Sequence, residues 1–327
     1  MTRKLLVRPH AWKLKEPFAI SRGVRSEARV VIVELEEDGK VGRGEACGVP
    51  YHGETQETMA AQIEAVRAAI EAGCDRQQLL HLLPAGGARH AVDAALWDME
   101  AKRTGVPVWQ RAGAPGWRPI DSAVTIGIRG IADYEAAARE RAAFSWIKVK
   151  VGPGSPLEAV AAVRRGAPDA HLIVDANQSW TLDELREYAP QLQPCAVDLL
   201  EQPLAAGTDA GLGDYAGPIP LCADESLSTE DDLPQLVGRY QFVNIKLDKV
   251  GGLTAALRLA EAARASGFRL MVGCMLGGSV SVAPGMVLAQ QCEVCDLDGP
   301  WLQSEDWPGG IVYRQGRMSL PAPALWG

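Results

Sequence analysis

Charged side chains recur at regular intervals through the middle of the chain, each at the end of an apolar run. These residues are Lys148 and Lys150 in WIKVKV, then Asp175, Glu201, Asp224 and Lys246 at the ends of the following runs. From Lys150 onward they are separated by 25, 26, 23 and 22 residues. This spacing matches one strand, one helix and two short loops. We therefore expect repeated β/α units to bring these lysines and carboxylates into one site.

The three acids predict a metal site. Carboxylates from three successive units would repel one another, and their pKa values would rise. A hard divalent cation removes this repulsion, and Mg²⁺ prefers oxygen ligands in octahedral geometry. Each acid alone could instead be a helix N-cap, but three of them beside lysines favour metal binding. We expect Asp175, Glu201 and Asp224 to bind one Mg²⁺, leaving positions for water or substrate.

The lysines predict proton transfer. Lys148 and Lys150 share a strand and face the same way, because side chains alternate along a strand. Lys246 follows four strands later and so lies across a barrel from them. Cationic neighbours lower a lysine pKa, which leaves free amine to act as a base. One lysine could remove a proton next to a carboxylate while the other returns a proton to the opposite face, which inverts the carbon. The alternative, a solvated lysine surface, fits poorly with an apolar strand.

A second acidic pair, Asp296 and Asp298, ends the last apolar run. Residues two apart on a strand face the same way, so the two carboxylates predict a cation site, most naturally for an ammonium group. The alternative interpretation is a capping turn before Gly299.

Eight apolar runs must position these residues: SAVTIGI, WIKVKV, HLIVDA, VDLLEQ, IPLCADE, FVNIKL, RLMVGCM and QQCEVCDLD. Unbroken apolar strands are typical of a parallel sheet covered on both faces. Helical patterns occupy residues 158–165, 182–191, 233–238 and 255–266. Eight β/α repeats favour a closed barrel, so the predicted fold class is α/β: a (β/α)8-type, modified TIM barrel with seven regular units and an irregular close. Its active site should lie at the carboxyl ends of the strands.

The chain before the barrel predicts a small α+β unit. RVVIVELEEDGKVGRGEA reads as a hairpin around Asp38-Gly39, and helical patterns cover 55–72 and 88–104. The last residues predict extended chain that returns to the first unit. We expect an α+β capping domain over 1–115, a barrel catalytic domain over 116–304, and a C-terminal segment over 305–327 that contacts the capping domain.

Composition restricts the partners. The chain has 327 residues, of which 47% are hydrophobic, so it can bury a large core. A net charge of −8 argues against nucleic-acid binding. There is no apolar run of membrane-spanning length, and seven scattered cysteines favour a reducing compartment. We expect a cytoplasmic protein that binds a small molecule but neither nucleic acid nor membrane. The sequence leaves open whether the protein forms a homo-oligomer.

Taken together, the motifs K-x-K, D-A-N, E-Q-P, A-D-E-S and K-L-D-K resemble the enolase superfamily in its muconate-lactonising-enzyme-like subgroup. The resemblance covers nearly the whole chain. It implies a capping domain over the barrel mouth and Mg²⁺ bound by the three acids. It also implies that Lys150 and Lys246 are the acid/base pair and that Lys148 binds and polarises a substrate carboxylate. The His/Asp dyad of mandelate-racemase-like members is absent from the strand positions where they keep it.

Within the superfamily, Asp296 and Asp298 resemble the D-x-D of dipeptide epimerases, where the pair holds the substrate ammonium. The resemblance implies that L-Ala-D-Glu and L-Ala-L-Glu are interconverted, in recycling of murein peptides. One arginine of the loop around Gly23 then binds the glutamate carboxylate. Arg22 and Arg25 are both candidates, and Thr125 is a weaker candidate for a substrate contact.

Two other classes of function stay open. An N-acylamino acid racemase, an o-succinylbenzoate synthase or a muconate cycloisomerase could use the same site. Asp296 and Asp298 argue against them, because their substrates carry no free ammonium at that end. A barrel that has lost catalysis and only binds or supports a partner is the remote alternative, and the retained metal ligands and lysines argue against it. The breadth of dipeptide specificity, the oligomeric state and the direction of flux are not predicted.

Overall fold

The chain begins with a three-stranded antiparallel sheet. The computed structural model describes residues 3–20, 23–152 and 154–327. The strands are β1 (Lys4–Ile20), β2 (Gly23–Glu37) and β3 (Lys40–Cys47). β2 and β3 form the predicted hairpin, in which Asp38 and Gly39 have φ angles of 54° and 70°, as a tight hairpin turn requires. β1 was not predicted, because charged residues interrupt its alternation.

Four helices pack against this sheet. They are α1 (Gln56–Ala65), α2 (Arg67–Glu71), α3 (Arg76–Leu82) and α4 (Gly87–Thr104). The helix predicted over 55–72 is divided at Val66, and Thr55 caps its start as expected. α4 matches its prediction and lies directly on β3. A Cβ at Gly42 or Gly44 would overlap the Ala95 and Ala91 carbonyl oxygens, so glycine permits this close contact.

Eight parallel strands follow in the predicted order. After the connecting helix α5 (Val108–Arg111) and the short strand β4 (Ile120–Asp121), they are β5 (Val124–Ile126), β6 (Trp146–Lys150), β7 (His171–Asp175), β8 (Val197–Glu201), β9 (Leu221–Ala223), β10 (Phe242–Lys246), β11 (Arg269–Gly273) and β12 (Val294–Asp296). Each strand pairs with the next. The Ala123 N–H donates to the Cys295 carbonyl at 2.8 Å and joins the two ends of the sheet. The α/β barrel prediction is confirmed.

Helices follow the strands of the barrel. They are α6 (Ile131–Glu140), α7 (Pro156–Gly166), α8 (Leu182–Leu192), α9 (Leu233–Leu236), α10 (Leu247–Val250), α11 (Leu253–Ala265), α12 (Ser279–Ala289) and α13 (Gly299–Leu302). The predicted helices recur within about two residues at their ends. α12 was not predicted because all eleven of its residues are buried, which leaves no polar face and no helical period. The 3₁₀ turn Asp209–Asp214 follows β8 in place of a helix, so the barrel has irregular units.

The last residues return to the N-terminal unit. β13 (Tyr313–Arg314) and β14 (Arg317–Met318) form a small sheet with β4. The Trp326 indole N–H then donates to the Ala94 carbonyl of α4 at 3.1 Å, and the Gly327 N–H donates to Asp98 at 2.9 Å. The division at residues 115 and 304 stays a prediction. Among helices in the described ranges, none combines the length and apolar character that a membrane crossing needs.

Candidate active site

The parallel register brings the charged strand ends to one level. Lys150 pairs with Asp175 across β6 and β7, and Asp175 pairs with Glu201 across β7 and β8. On the far side, Lys246 and Asp296 both lie beside Gly273 of β11. The even spacing seen in the sequence therefore becomes a ring of functional groups at the carboxyl end of the barrel.

A pocket of about 400 Å³ lies over this ring. The barrel contributes the predicted residues Thr125, Lys148, Lys150, Asp224, Lys246, Asp296 and Asp298 to its lining. The N-terminal unit contributes Arg25, Pro50 and Tyr51. Asp175 and Glu201 do not line it, because both are completely buried. The pocket is the right size for a small molecule and is enclosed by both parts of the chain.

Lys148 is the centre of an ionic network. Its Nζ lies 3.1 Å from Asp175, 2.7 Å from Glu201 and 2.9 Å from Asp296. Burial favours the neutral amine, but the surrounding carboxylates outweigh it and hold the pKa of Lys148 well above its ordinary value. Lys148 is therefore a fixed cation between the predicted metal ligands and the second acidic pair.

The two other predicted lysines each contact one carboxylate. Lys150 Nζ lies 2.5 Å from Asp175, and Lys246 Nζ lies 2.7 Å from Asp224. Burial is the largest single influence and lowers the pKa of Lys246, but Asp224 together with Glu201 more than offsets it, so the net pKa is well above the ordinary value. These ammonium groups occupy carboxylate oxygens that a metal ion would take, and such a cation would compete with them.

The three carboxylates differ in their acidity. Burial raises the pKa of Asp175, but Lys150 and Lys148 more than offset it and bring the pKa to about 2. The pKa of Asp224 is also lowered well below its ordinary value, since Lys246 and Lys249 outweigh its burial. Glu201 is different: burial and then Asp175 raise its pKa to about 7, against the attraction of Lys148. Negative charge is thus least compensated at Glu201.

This donor set fits a hard cation. Within the described ranges, no group of three or more His, Cys, Asp or Glu side chains is already arranged around a metal position. However, Glu201 Oε2 is buried and accepts no hydrogen bond within the described part of the chain, although Lys148 Nζ is nearby. The donors are all oxygens, as Mg²⁺ prefers. A divalent cation would compensate the charge that raises the pKa of Glu201.

Three buried polar residues of the site were missed by the sequence reasoning. Lys249 Nζ lies 2.7 Å from Asp224 Oδ1 and also donates to the Asp224 carbonyl. The Asn244 amide donates to Glu201 at 2.9 Å. Gln202 accepts from the Asp224 N–H at 2.8 Å through its side chain. The signal was present: Asn244 precedes Lys246 by two residues on the same strand face, and Lys249 is the last residue of K-L-D-K.

The second acidic pair is buried at the end of β12. Asp296 contacts Lys148, whereas Asp298 accepts the Thr125 N–H at 2.7 Å. Burial and the neighbouring Asp296 raise the pKa of Asp298 to about 6, and hydrogen bonds from Thr125 oppose this rise. The Thr125 side chain also bonds Asp298. Thr125 therefore holds Asp298 in place. A direct contact between Thr125 and the substrate stays a prediction.

Of the two candidate arginines, the structure describes one. Arg22 lies outside the described residues. Arg25 lines the pocket from β2, and its side chain bonds the buried Cys47 thiol. Burial raises the pKa of that thiol to about 12, so Cys47 is neutral and leaves the Arg25 charge uncompensated from that side. Arg25 is thus positioned as a cation on the capping side of the pocket.

Comparison with known proteins identifies the class. Residues 2–113 match the family model for the mandelate racemase/muconate lactonizing enzyme N-terminal domain, and residues 132–324 match the model for the enolase C-terminal domain-like family. The chain belongs to this family of the enolase superfamily.

Characterised relatives narrow the class to isomerases. The chain is 43% identical to the L-Ala-D/L-Glu epimerase of Escherichia coli (strain K12), over 97% of this chain and 100% of that protein. It is 41% identical to the N-acetyl-D-glutamate racemase of Pseudoalteromonas sp, over 87% of this chain and 91% of the relative. The enzyme class expected from the sequence, a racemase or epimerase, is confirmed.

Solved structures of similar proteins point to the same class of enzyme. An enolase family member from Agrobacterium tumefaciens with homology to dipeptide epimerases, bound to sodium and L-Ala-L-Glu, is 39% identical, with a TM-score of 0.97 over 99% of this chain and 100% of that one. A dipeptide epimerase from Enterococcus faecalis V583, complexed with Mg and L-Leu-L-Tyr, is 28% identical, with a TM-score of 0.92 over 100% of this chain and 99% of that one. The expected Mg²⁺ is the cation of that neighbour.

Proposed function

We propose that this protein is a Mg²⁺-dependent dipeptide epimerase that interconverts L-Ala-D-Glu and L-Ala-L-Glu by 1,1-proton transfer. The observation that carries the proposal is the pairing of two opposed lysines with a buried acidic pair in one pocket. Lys150 and Lys246 end strands four apart in an eight-stranded barrel, and Asp296 and Asp298 line the same pocket.

In this proposal Asp175, Glu201 and Asp224 hold the metal ion. When bound, Mg²⁺ supplies positive charge that stabilises the negative charge developing on the substrate carboxylate. Lys148, already a fixed cation, adds a second positive charge to the same carboxylate and polarises it. The α-proton then becomes acidic enough for an amine to remove, and the deprotonated substrate is an enediolate.

Lys150 and Lys246 transfer the proton. Because they approach from opposite sides of the barrel, one takes the α-proton from one face of the C-terminal residue. The other donates a proton to the opposite face, and the configuration of that carbon inverts. Before reaction, Asp175 and Asp224 hold the two ammonium groups at 2.5 and 2.7 Å. With these carboxylates engaged by a cation, both ion pairs would be weaker; the lysine that acts as base is then the neutral amine, and the opposite lysine is the ammonium that supplies the proton.

The ends of the substrate are recognised by opposite charges. Asp296 and Asp298 bind the ammonium group of the N-terminal residue through charge-assisted hydrogen bonds. Arg25 binds the side-chain carboxylate of the C-terminal glutamate, and a planar guanidinium can hold a carboxylate with two bonds. L-Ala-Glu is a unit of cell-wall peptides, so a cytoplasmic role in their recycling follows from the proposed substrate.

A second candidate function is racemisation of an N-acylated amino acid. The 41% identity to an N-acetyl-D-glutamate racemase favours it. Such a substrate would present a neutral amide to Asp296 and Asp298. Asp296 keeps its contact with Lys148, but the buried Asp298 would then lie beside an uncharged group without an added cation, which is costly. We therefore favour the dipeptide.

The test is solvent exchange during turnover. Purified protein with Mg²⁺ in D₂O is given L-Ala-L-Glu, N-acetyl-L-glutamate or N-succinyl-L-glutamate in parallel, and products are followed by NMR. The proposal predicts deuterium at the α-carbon of the C-terminal residue of the dipeptide, together with formation of L-Ala-D-Glu. Efficient turnover of the N-acylated amino acids with none of the dipeptide would overturn it.

A further inference from the structure

One wall of the pocket is built by the short segment 274–278, which joins β11 to α12. Cys274, Met275 and Leu276 of this segment line the pocket. The segment also packs against Gly299, directly after Asp298: a Cβ at Gly299 would lie 2.8 Å from the Gly277 carbonyl oxygen. The position of the segment is therefore linked to the acidic pair that the proposed function assigns to the substrate ammonium.

Glu45 holds the far end of the segment. Its carboxylate is fully buried and accepts three N–H groups: from Gly278 at 2.6 Å, Trp12 at 3.0 Å and Trp307 at 2.5 Å. All three donors are neutral. The Gly278 N–H precedes the first turn of α12, where a carboxylate is favoured by the helix dipole. Glu45 belongs to β3, so it connects this end of the segment to the N-terminal sheet.

Asp248 holds the near end. It is buried in α10, it accepts the Cys47 N–H at 2.9 Å, and it interacts with the Met275 N–H, which helps to lower its pKa. Cys47 is the last residue of β3, two residues after Glu45. The two carboxylates therefore take backbone N–H groups from both ends of segment 274–278 and connect both ends to the same strand.

This arrangement is unusual because it buries two carboxylates. Burial is the main cause that raises the pKa of both Glu45 and Asp248 to about 7. Packing alone could be achieved with apolar side chains at lower cost. Carboxylate acceptors at these points instead fix the orientation of the backbone, because each interacts with N–H groups from separate parts of the chain, three for Glu45 and two for Asp248. The result is a rigid pocket wall tied to the unit that also carries Arg25.

We propose that Glu45 and Asp248 are positioning residues that fix segment 274–278 and thereby restrict the size of the substrate's N-terminal residue. This inference rests on the proposed dipeptide function. Neither residue lines the pocket, so both act through the backbone of the segment. With the wall held, the space beside the ammonium site stays small and suits alanine. With the wall released, a larger side chain can enter.

The variants are Glu45→Gln and Asp248→Asn, which keep shape but remove the charge and one acceptor. Trp307→Phe is a milder third variant, because it removes only one donor to Glu45. Asp306→Asn is the control: Asp306 accepts the Ser279 N–H at 2.8 Å on the same helix end but bonds no residue of segment 274–278 among the described contacts. Its loss should reduce stability without moving the pocket wall.

The readout is kcat/KM for L-Ala-L-Glu and L-Leu-L-Glu. We expect kcat/KM for L-Leu-L-Glu, relative to that for L-Ala-L-Glu, to rise about 10-fold in Glu45→Gln and Asp248→Asn and about 3-fold in Trp307→Phe. The change for L-Ala-L-Glu itself should lie mainly in KM. The ratio should be unchanged in Asp306→Asn. An unchanged ratio in all four folded variants, whatever their melting temperatures, would overturn the inference.

Hydrogen exchange separates failure of the inference from failure of the proposed function. The Met275 N–H should exchange on the order of 10-fold faster in Asp248→Asn, and the Gly278 N–H in Glu45→Gln. If the wild type turns over no dipeptide but these amides exchange faster, the function is wrong and the positioning stands. If the amides are as protected as in the wild type, the positioning itself is wrong.

Discussion

Replacing Gln202 with leucine removes the side chain that joins the chain after β8 to the chain after β9. Gln202 directly follows Glu201, is completely buried, and has a left-handed φ of 36°. Its Oε1 accepts the Asp224 and Ser226 N–H groups at 2.8 and 3.1 Å. Its amide group donates to the Leu204 carbonyl at 2.9 Å. Leucine fills a similar volume but can make none of these bonds.

The cost follows from the groups left without partners. Two backbone N–H groups and one carbonyl lose their partner, and each unsatisfied buried group costs about 1–3 kcal/mol. Since one oxygen serves both N–H groups, we expect Gln202→Leu to lower the free energy of unfolding by about 3–6 kcal/mol, a large part of a domain's usual ~5–15 kcal/mol. The left-handed φ at position 202 does not change this estimate, because leucine would adopt the same backbone conformation as glutamine.

Gln178→Leu is the matched control. Gln178 also has a left-handed φ, of 68°, and its side chain accepts one N–H, from Ala206 at 2.9 Å. It is only partly buried, so water can replace the lost acceptor and the cost should stay below about 1 kcal/mol. Urea unfolding followed by tryptophan fluorescence measures both. Equal losses in the two variants would contradict this expectation, because the predicted difference rests on the burial of Gln202 and on the larger number of hydrogen bonds that it makes.

Three further predictions concern charge. Burial lowers the pKa of His90 to about 4 from its ordinary 6.5, so the folded state keeps it neutral while the unfolded state takes up a proton as pH falls. Stability should thus fall by up to about 3 kcal/mol between pH 6.5 and pH 4 relative to His90→Gln, and parallel stability curves for the two proteins would contradict this. Asp298→Asn should raise KM for L-Ala-L-Glu about 10- to 100-fold without lowering kcat/KM for an N-acylated substrate; equal losses for both substrates would argue against an ammonium site. Arg25→Met should reduce the preference for L-Ala-L-Glu over L-Ala-L-Gln about 10- to 100-fold, measured as a ratio of kcat/KM, and an unchanged ratio would leave the glutamate carboxylate without its assigned partner.

The barrel could be predicted because its signals are local. The strands are apolar runs of three to five residues, and six of the eight, all but β5 and β11, end at or directly before a charged residue. A parallel barrel brings all such ends to one face, so the meeting of Lys150, Asp175 and Glu201 follows from topology without any knowledge of packing. The same logic correctly placed Lys246 on the far side.

The parts that escaped prediction depend on tertiary contacts. α12 is buried all round because β3 and α4 of the N-terminal unit and β11, α11 and α13 of the barrel pack against it, so its sequence shows no period. β1 becomes a strand by pairing with β2, although its own residues alternate poorly. The contacts of Lys249, Gln202 and Glu45 each join residues that are distant along the chain, and spacing cannot reveal such contacts.

The central claim is that Lys150 and Lys246 act on opposite faces of one carbon, and single-lysine variants test it most directly. Lys150→Ala and Lys246→Ala would each be given L-Ala-L-Glu and L-Ala-D-Glu in D₂O with Mg²⁺, and α-deuterium would be measured by NMR. We expect that neither variant epimerises, while each still exchanges the α-proton of one epimer, a different epimer in each variant. Retention of epimerisation in either variant, or exchange of the same epimer in both, would show that the two lysines do not act on opposite faces.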